Sequence, residues 1–170
     1  MKRHTPPIFA LHASSRGFGY VVFTGPWSPH DWGTVDARGD KNSVCLRKLE
    51  KLLDRFLPET LILEEARSVA NRSDRINRLY KAIVALCRGR SIDVAIYRLG
   101  DIKFCFASVG ARTRQEIAEA VARQLSAFDH RVPKPRKPWD SEARRMPMFC
   151  AAALGLTHYQ LGTTSLFDDL

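Results

Sequence analysis

Ile8-Phe9-Ala10-Leu11-His12-Ala13-Ser14-Ser15-Arg16-Gly17-Phe18-Gly19-Tyr20-Val21-Val22-Phe23 decides how this chain is read. A near-continuous apolar run ends in one polar residue, His12. Small residues and two glycines then make a turn, and a second aromatic and β-branched run follows. The pattern predicts a buried strand, a tight turn and an antiparallel partner. His12 stands at the mouth of the first strand, where open α/β sheets place their ligands.

Working outward, Pro26-Trp27-Ser28-Pro29 predicts a turn, and His30 to Asp36 a third strand with polar flanks. Leu46, Leu49, Leu52, Leu53 and Phe56 fall at helical spacing, and Pro58 stops that helix. Leu61-Ile62-Leu63-Glu64-Glu65 is bounded like a buried parallel strand with carboxylates at its C-terminal mouth. A second helix is expected from about Arg72 to Cys87, with Ile76, Leu79, Tyr80, Ile83 and Leu86 as its stripe and Gly89 as its cap. Asp93 to Arg98 reads as a fifth strand, and Asp101 to Ser108 as a short helix or turn carrying Phe104 and Phe106. Thr113-Arg114-Gln115-Glu116 is a capping box that starts a helix with Ile117, Val121, Leu125 and Phe128 on its core face. Residues 129–139 alternate Pro133, Pro135 and Pro138 with Arg131, Lys134, Arg136 and Lys137, an extended basic arm. A last helix runs from Pro147 through Ala151, Leu154 and Tyr159, and residues 161–170 read as a flexible tail. Three antiparallel strands followed by alternating helices and strands give an α/β domain spanning 1–170: a mixed five-stranded sheet with helices on both faces.

A chain of 170 residues can bury a full core. Its four cysteines form no CxxC pair and read as reduced thiols. No apolar run reaches membrane-spanning length, and the N-terminus lacks a signal-peptide core, so a cytoplasmic protein without a membrane partner is expected. Lysine and arginine outnumber acids 27 to 18, which points to a polyanionic partner, DNA or structured nucleic acid first.

The order of elements, with the first strand-turn-strand, the strand end Leu61-Ile62-Leu63-Glu64, the stretch Gly110 to Ile117 and the stretch Lys137 to His158, resembles the RNase H-like nucleases. More narrowly it resembles RuvC-type Holliday-junction resolvases and their RuvC-like relatives. The resemblance implies an RNase H-like fold and a structure-selective endonuclease working with magnesium or manganese. It also implies a homodimer on a two-fold junction. In active members the first strand ends in aspartate, the fourth in glutamate, and the last helix adds one or two aspartates. Oxygen ligands of that kind hold hard divalent cations that activate water and stabilise the leaving oxygen.

This sequence departs from that pattern. His12 stands at the strand-one aspartate, Cys150 at an aspartate of the last helix, and Ala143 at another position expected to be acidic. Glu64 is retained, while Glu65, Asp140 and Glu142 are near in sequence but off register. The candidate catalytic set is therefore Glu64, His12, Glu142 and Cys150, with Glu64 the metal ligand. A softer zinc or manganese site from His12, Glu64 and Cys150 is the alternative to a core histidine and a packing thiol. The expected phosphate contacts are Arg16, Arg72, Arg75, Arg78, Lys81, Arg112, Lys134, Arg136 and Lys137. The leading expectation is a binder of branched or structured nucleic acid with a degenerate, inactive metal site. An active metal-dependent endonuclease with rearranged ligands and a nucleoprotein-assembly subunit are the alternatives.

Overall fold

The computed structural model describes residues 5–65, 73–137 and 139–168, with side chains through residue 162. Five strands pair in the order β3-β2-β1-β4-β5. β1 (Ile8–Ala13) lies at the centre, antiparallel to β2 (Gly17–Gly25) and parallel to β4 (Thr60–Glu64). β3 (Ser28–Asp36) extends the antiparallel side, and β5 (Asp93–Tyr97) pairs parallel with β4. The mixed sheet expected from the sequence is the one observed.

Side chains alternate across a strand, and here the alternation sorts the core into two layers. Phe9, Leu11, Leu61 and Leu63 point to the face covered by α1 (Lys41–Phe56) and α2 (Asp74–Gly89). Ala10, Val21, Phe23 and Ile62 point to the face covered by α3 (Leu99–Ala107), α4 (Arg114–Gln124) and α5 (Met146–Asp168). Two residues further along, the same alternation carries His12 and Glu64 to the α5 face. That step positions the site.

α5 is buried almost all round through Met148, Phe149, Ala151, Ala152, Ala153 and Leu154, as befits a helix apolar on every side. Its close approach to β2 rests on two glycines. A Cβ on Gly19 would overlap the Pro147 backbone, and one on Gly155 would overlap the Phe23 ring. No helix among the described residues is long and apolar enough to cross a membrane. All four cysteines are free; Cys45, Cys87 and Cys105 are buried and Cys150 half-buried.

Several boundaries differ from the sequence expectation. The third strand begins at Ser28, not His30, and takes in Pro29. β3 is a sheet edge with a register shift there, so the missing N–H costs no ladder bond. α1 ends on Leu57 in the left-handed region at φ 47°, before Pro58. Ser73 caps α2 by accepting from the Ile76 N–H, and Gly89 is its last helical residue rather than its cap. Leu99–Ala107 is a full helix, burying Ile102, Cys105 and Phe106 and leaving Phe104 71% exposed. Ser126–Arg131 forms a 3-10 helix, so the extended basic segment starts at Val132 and not at residue 129. α5 continues past Tyr159 to Asp168. The capping box is only half formed: Thr113 accepts from the Glu116 N–H at 3.1 Å, but the Glu116 carboxylate accepts from Arg112 N–H at 2.9 Å.

Candidate nucleic-acid interface and carboxylate site

The site lies at the carboxyl ends of β1 and β4, beside the bond that joins the start of α4 to the loop before α5. β1 and β4 run parallel in register, with Ala10 opposite Ile62. His12 and Glu64 are thereby brought together, His12 Nδ1 lying 3.6 Å from Glu64 Oε2 with both side chains buried. The end of β1 is braced from the opposite face, where the Tyr80 hydroxyl accepts the Ala13 N–H at 3.1 Å.

The second carboxylate, Glu142, lies on the loop before α5. Its Oε1 accepts from the Arg114 guanidinium at 2.6 Å. Arg114 is the first residue of α4, placed there by the Thr113 cap. At neutral pH its guanidinium faces the carboxylates of Glu142 and Glu64, which favour its charged form against the opposing effect of burial. Burial pushes the Cys150 thiol up to about 12, with Glu142 and Glu64 adding to the shift and Arg114 opposing it. At neutral pH the sulfur is therefore a neutral thiol, and the charges facing Arg114 are the two carboxylates.

Ala143 does not belong to the last helix, because α5 begins at Met146. On the helix, one turn ahead of Cys150, stands Pro147, whose backbone lies against Gly19. Neither Ala143 nor Cys150 carries a carboxylate. Among the described residues, no group of three or more His, Cys, Asp and Glu side chains is arranged to hold a metal ion. Glu64 lies beside an imidazole, and Glu142 is already paired with a guanidinium.

The expected phosphate contacts separate into two kinds. Arg16 in the β1–β2 turn, Arg78 and Lys81 on α2, and Arg112 before α4 are exposed. Lys134 and Arg136 join Arg114 and Glu142 around a cavity of about 280 Å³ beside the start of α5. Lys137 places its ammonium 5.4 Å from the centre of the Trp139 ring. Arg75 differs, because its guanidinium donates to Asn42 Oδ1 and to the Ser14 carbonyl, both at 3.1 Å. It ties α2 to α1 and to the β1–β2 turn. Arg72 lies outside the described residues.

Two residues of the site carried no role in the sequence reading. Arg114 meets Glu142 across 28 positions, and only its place after the Thr113 cap marked it. Arg144 pairs with Asp36 at the end of β3 and pins the loop before α5 to the sheet edge. Nothing in the local sequence announces that pair. Behind the site, a cavity of about 330 Å³ between α3, α4 and α5 is lined by Ile102, Arg112, Arg114, Ile117, Phe149 and Cys150.

No protein-family model matches the chain. The crossover junction endodeoxyribonuclease RuvC of Chlorobium chlorochromatii (strain CaD3) is 27% identical over 104 residues, 60% of this chain and 53% of that protein. The match thus spans about half the length of that curated relative. Two solved structures, Thermus thermophilus RuvC and T. thermophilus RuvC in complex with Holliday junction substrate, share the fold at TM-scores of 0.68 and 0.70. Each is 16% identical and covers 94% of this chain and 96% of its own. The chain is thus similar to RuvC over part of its sequence and shares the fold of the solved RuvC structures.

Proposed function

We propose that this RuvC-like chain binds branched DNA of the Holliday-junction type through the basic surface around the ends of β1 and β4, without cutting it. The observation that carries the reading is the pairing at the site. Glu64 lies against His12, and Glu142 against the Arg114 guanidinium. A fixed positive group facing the two carboxylates suits a site that receives phosphate and opposes the entry of divalent cations. Arg16, Arg78, Lys81, Arg112, Lys134, Arg136 and Lys137 supply the backbone contacts, and Arg75 braces the turn beneath them. Two copies of the chain related by a two-fold axis would match the symmetry of a four-way junction.

The test compares a four-way junction with a duplex of equal length by gel shift at matched salt, in EDTA. Preferential binding of the junction without divalent ions is expected, together with no nicking in magnesium. Absence of binding to any nucleic acid would reject the reading and favour a protein-contacting subunit of a larger assembly. A second reading is an active endonuclease with rearranged ligands. Glu64, retained beside an imidazole that can itself bind a softer metal, favours it. Cleavage in manganese by the wild type that Glu64→Gln abolishes would establish that reading instead.

A further inference from the structure

We propose that Trp139 is a stacking platform for an unpaired DNA base beside the carboxylate site, an assignment that rests on the nucleic-acid reading above. Its side chain is 77% exposed, the most exposed large apolar side chain among the described residues. A lone exposed indole is not in itself informative; the way this one is held out is. The Asp140 N–H donates to the Lys137 carbonyl at 3.0 Å. The Lys137 N–H donates to Asp140 Oδ2, and the Arg136 guanidinium to the Asp140 carbonyl, both at 3.1 Å. Asp140 is thereby bonded to Arg136 and Lys137 beside the exposed Trp139.

The segment is anchored on both sides to the first turn of α4. Gln115 donates to the Pro133 carbonyl at 2.7 Å, and Arg114 to Glu142 at 2.6 Å. These bonds flank Trp139, which stands exposed between them. The surrounding charge is cationic: residues 134–145 hold five lysines and arginines against two acids. The Lys137 ammonium sits 5.4 Å from the ring centre. An aromatic face set among cations is how single-stranded nucleic acid is bound, the bases stacking while the charges follow the backbone. The other exposed indole, Trp27, lies between β2 and β3 at the opposite end of the sheet, where β2 ends rather than begins. A junction whose crossover is opened offers unstacked bases; an intact duplex does not.

The experiment uses the full chain and three probes: oligothymidylate, a four-way junction with unpaired thymines at the crossover, and a blunt duplex of equal length. Trp139→Leu is expected to weaken binding to the first two about tenfold. Duplex affinity should stay within about twofold and the salt dependence should be unchanged, because stacking releases no counterions. Trp139→Phe should restore most of the loss. Quenching of tryptophan emission by oligothymidylate should vanish in Trp139→Phe and persist in Trp27→Phe. Equal affinity of Trp139→Leu and wild type for oligothymidylate would overturn the assignment, as would an equal loss on duplex. Wild type that binds none of the probes would instead overturn the nucleic-acid reading itself.

Discussion

His158 shows what burial does to a single titratable residue in this core. Its Nδ1 lies 2.7 Å from the Tyr97 hydroxyl, joining α5 to the end of β5, and burial lowers its pKa below the ordinary histidine value. The native state therefore binds fewer protons than the unfolded chain over the interval between the two pKa values. No penalty exists above the unfolded value, about 6.5, and stability falls as pH drops through it. Urea melts between about pH 7 and pH 5 should show this fall, and His158→Gln should flatten it. An unchanged slope in the variant would reject the assignment. The residue scale is also where the sequence was least legible at the site. His12 and Glu64 were readable as strand-end residues because a period of two and a polar break are local signals. The Arg114–Glu142 and Arg75–Ser14 bonds were not, because each joins segments distant in sequence, 28 and 61 positions apart. Arg75 had the composition of a phosphate contact and the position of a brace.

At the scale of elements, the contact that sets the site is α5 on β2, and its tightness depends on Gly19. A methyl group there would meet the Pro147 backbone, which belongs to the first turn of α5 and yields less easily than a side chain. Gly19→Ala is expected to destabilise the fold by about 1–3 kcal/mol. For a chain of this size that lowers the melting temperature by roughly 3 to 10 °C. Gly25→Ala on the same strand is the control, since its Cβ would find nothing closer than the Ser28 side chain at 3.7 Å. Equal melting temperatures for the two variants would mean that α5 shifts freely over the sheet. The elements themselves were well marked in the sequence: the α1, α2 and α4 stripes match the buried residues Leu49 and Leu53, Leu79 and Ile83, and Ile117 and Val121. What failed was local chemistry at the ends. Pro29 reads as a strand breaker except on an edge, and edge position is a tertiary fact. The start of α5 at Met146, by contrast, lies one residue from the Pro147 that the sequence offers as a first-turn residue.

For the whole molecule the governing quantity is the excess of positive charge, a formal +9, and where it is free to act. Each phosphate neutralised on duplex DNA adds about −0.9 to the log–log slope of affinity against salt. The slope therefore counts contacts rather than charges. Arg78 and Lys81 stand exposed and three positions apart on α2, so both can follow one strand of a backbone. Arg75, on the same helix, is committed to Asn42 and Ser14. The two kinds of arginine predict different phenotypes. Arg78→Ala with Lys81→Ala should flatten the salt slope by about 1.8, weaken binding alike on all sequences and leave the melting temperature unchanged. Arg75→Ala should lower the melting temperature, because it leaves the Ser14 carbonyl without this donor and loosens the turn that carries Arg16, while leaving the slope per remaining contact intact. Titrations of a labelled junction across a salt series, read beside thermal melts of the same variants, separate the two. A slope unmoved by the Arg78 and Lys81 double change would remove α2 from the DNA-facing surface and leave the contacts to Arg112, Lys134, Arg136 and Lys137 beside α4.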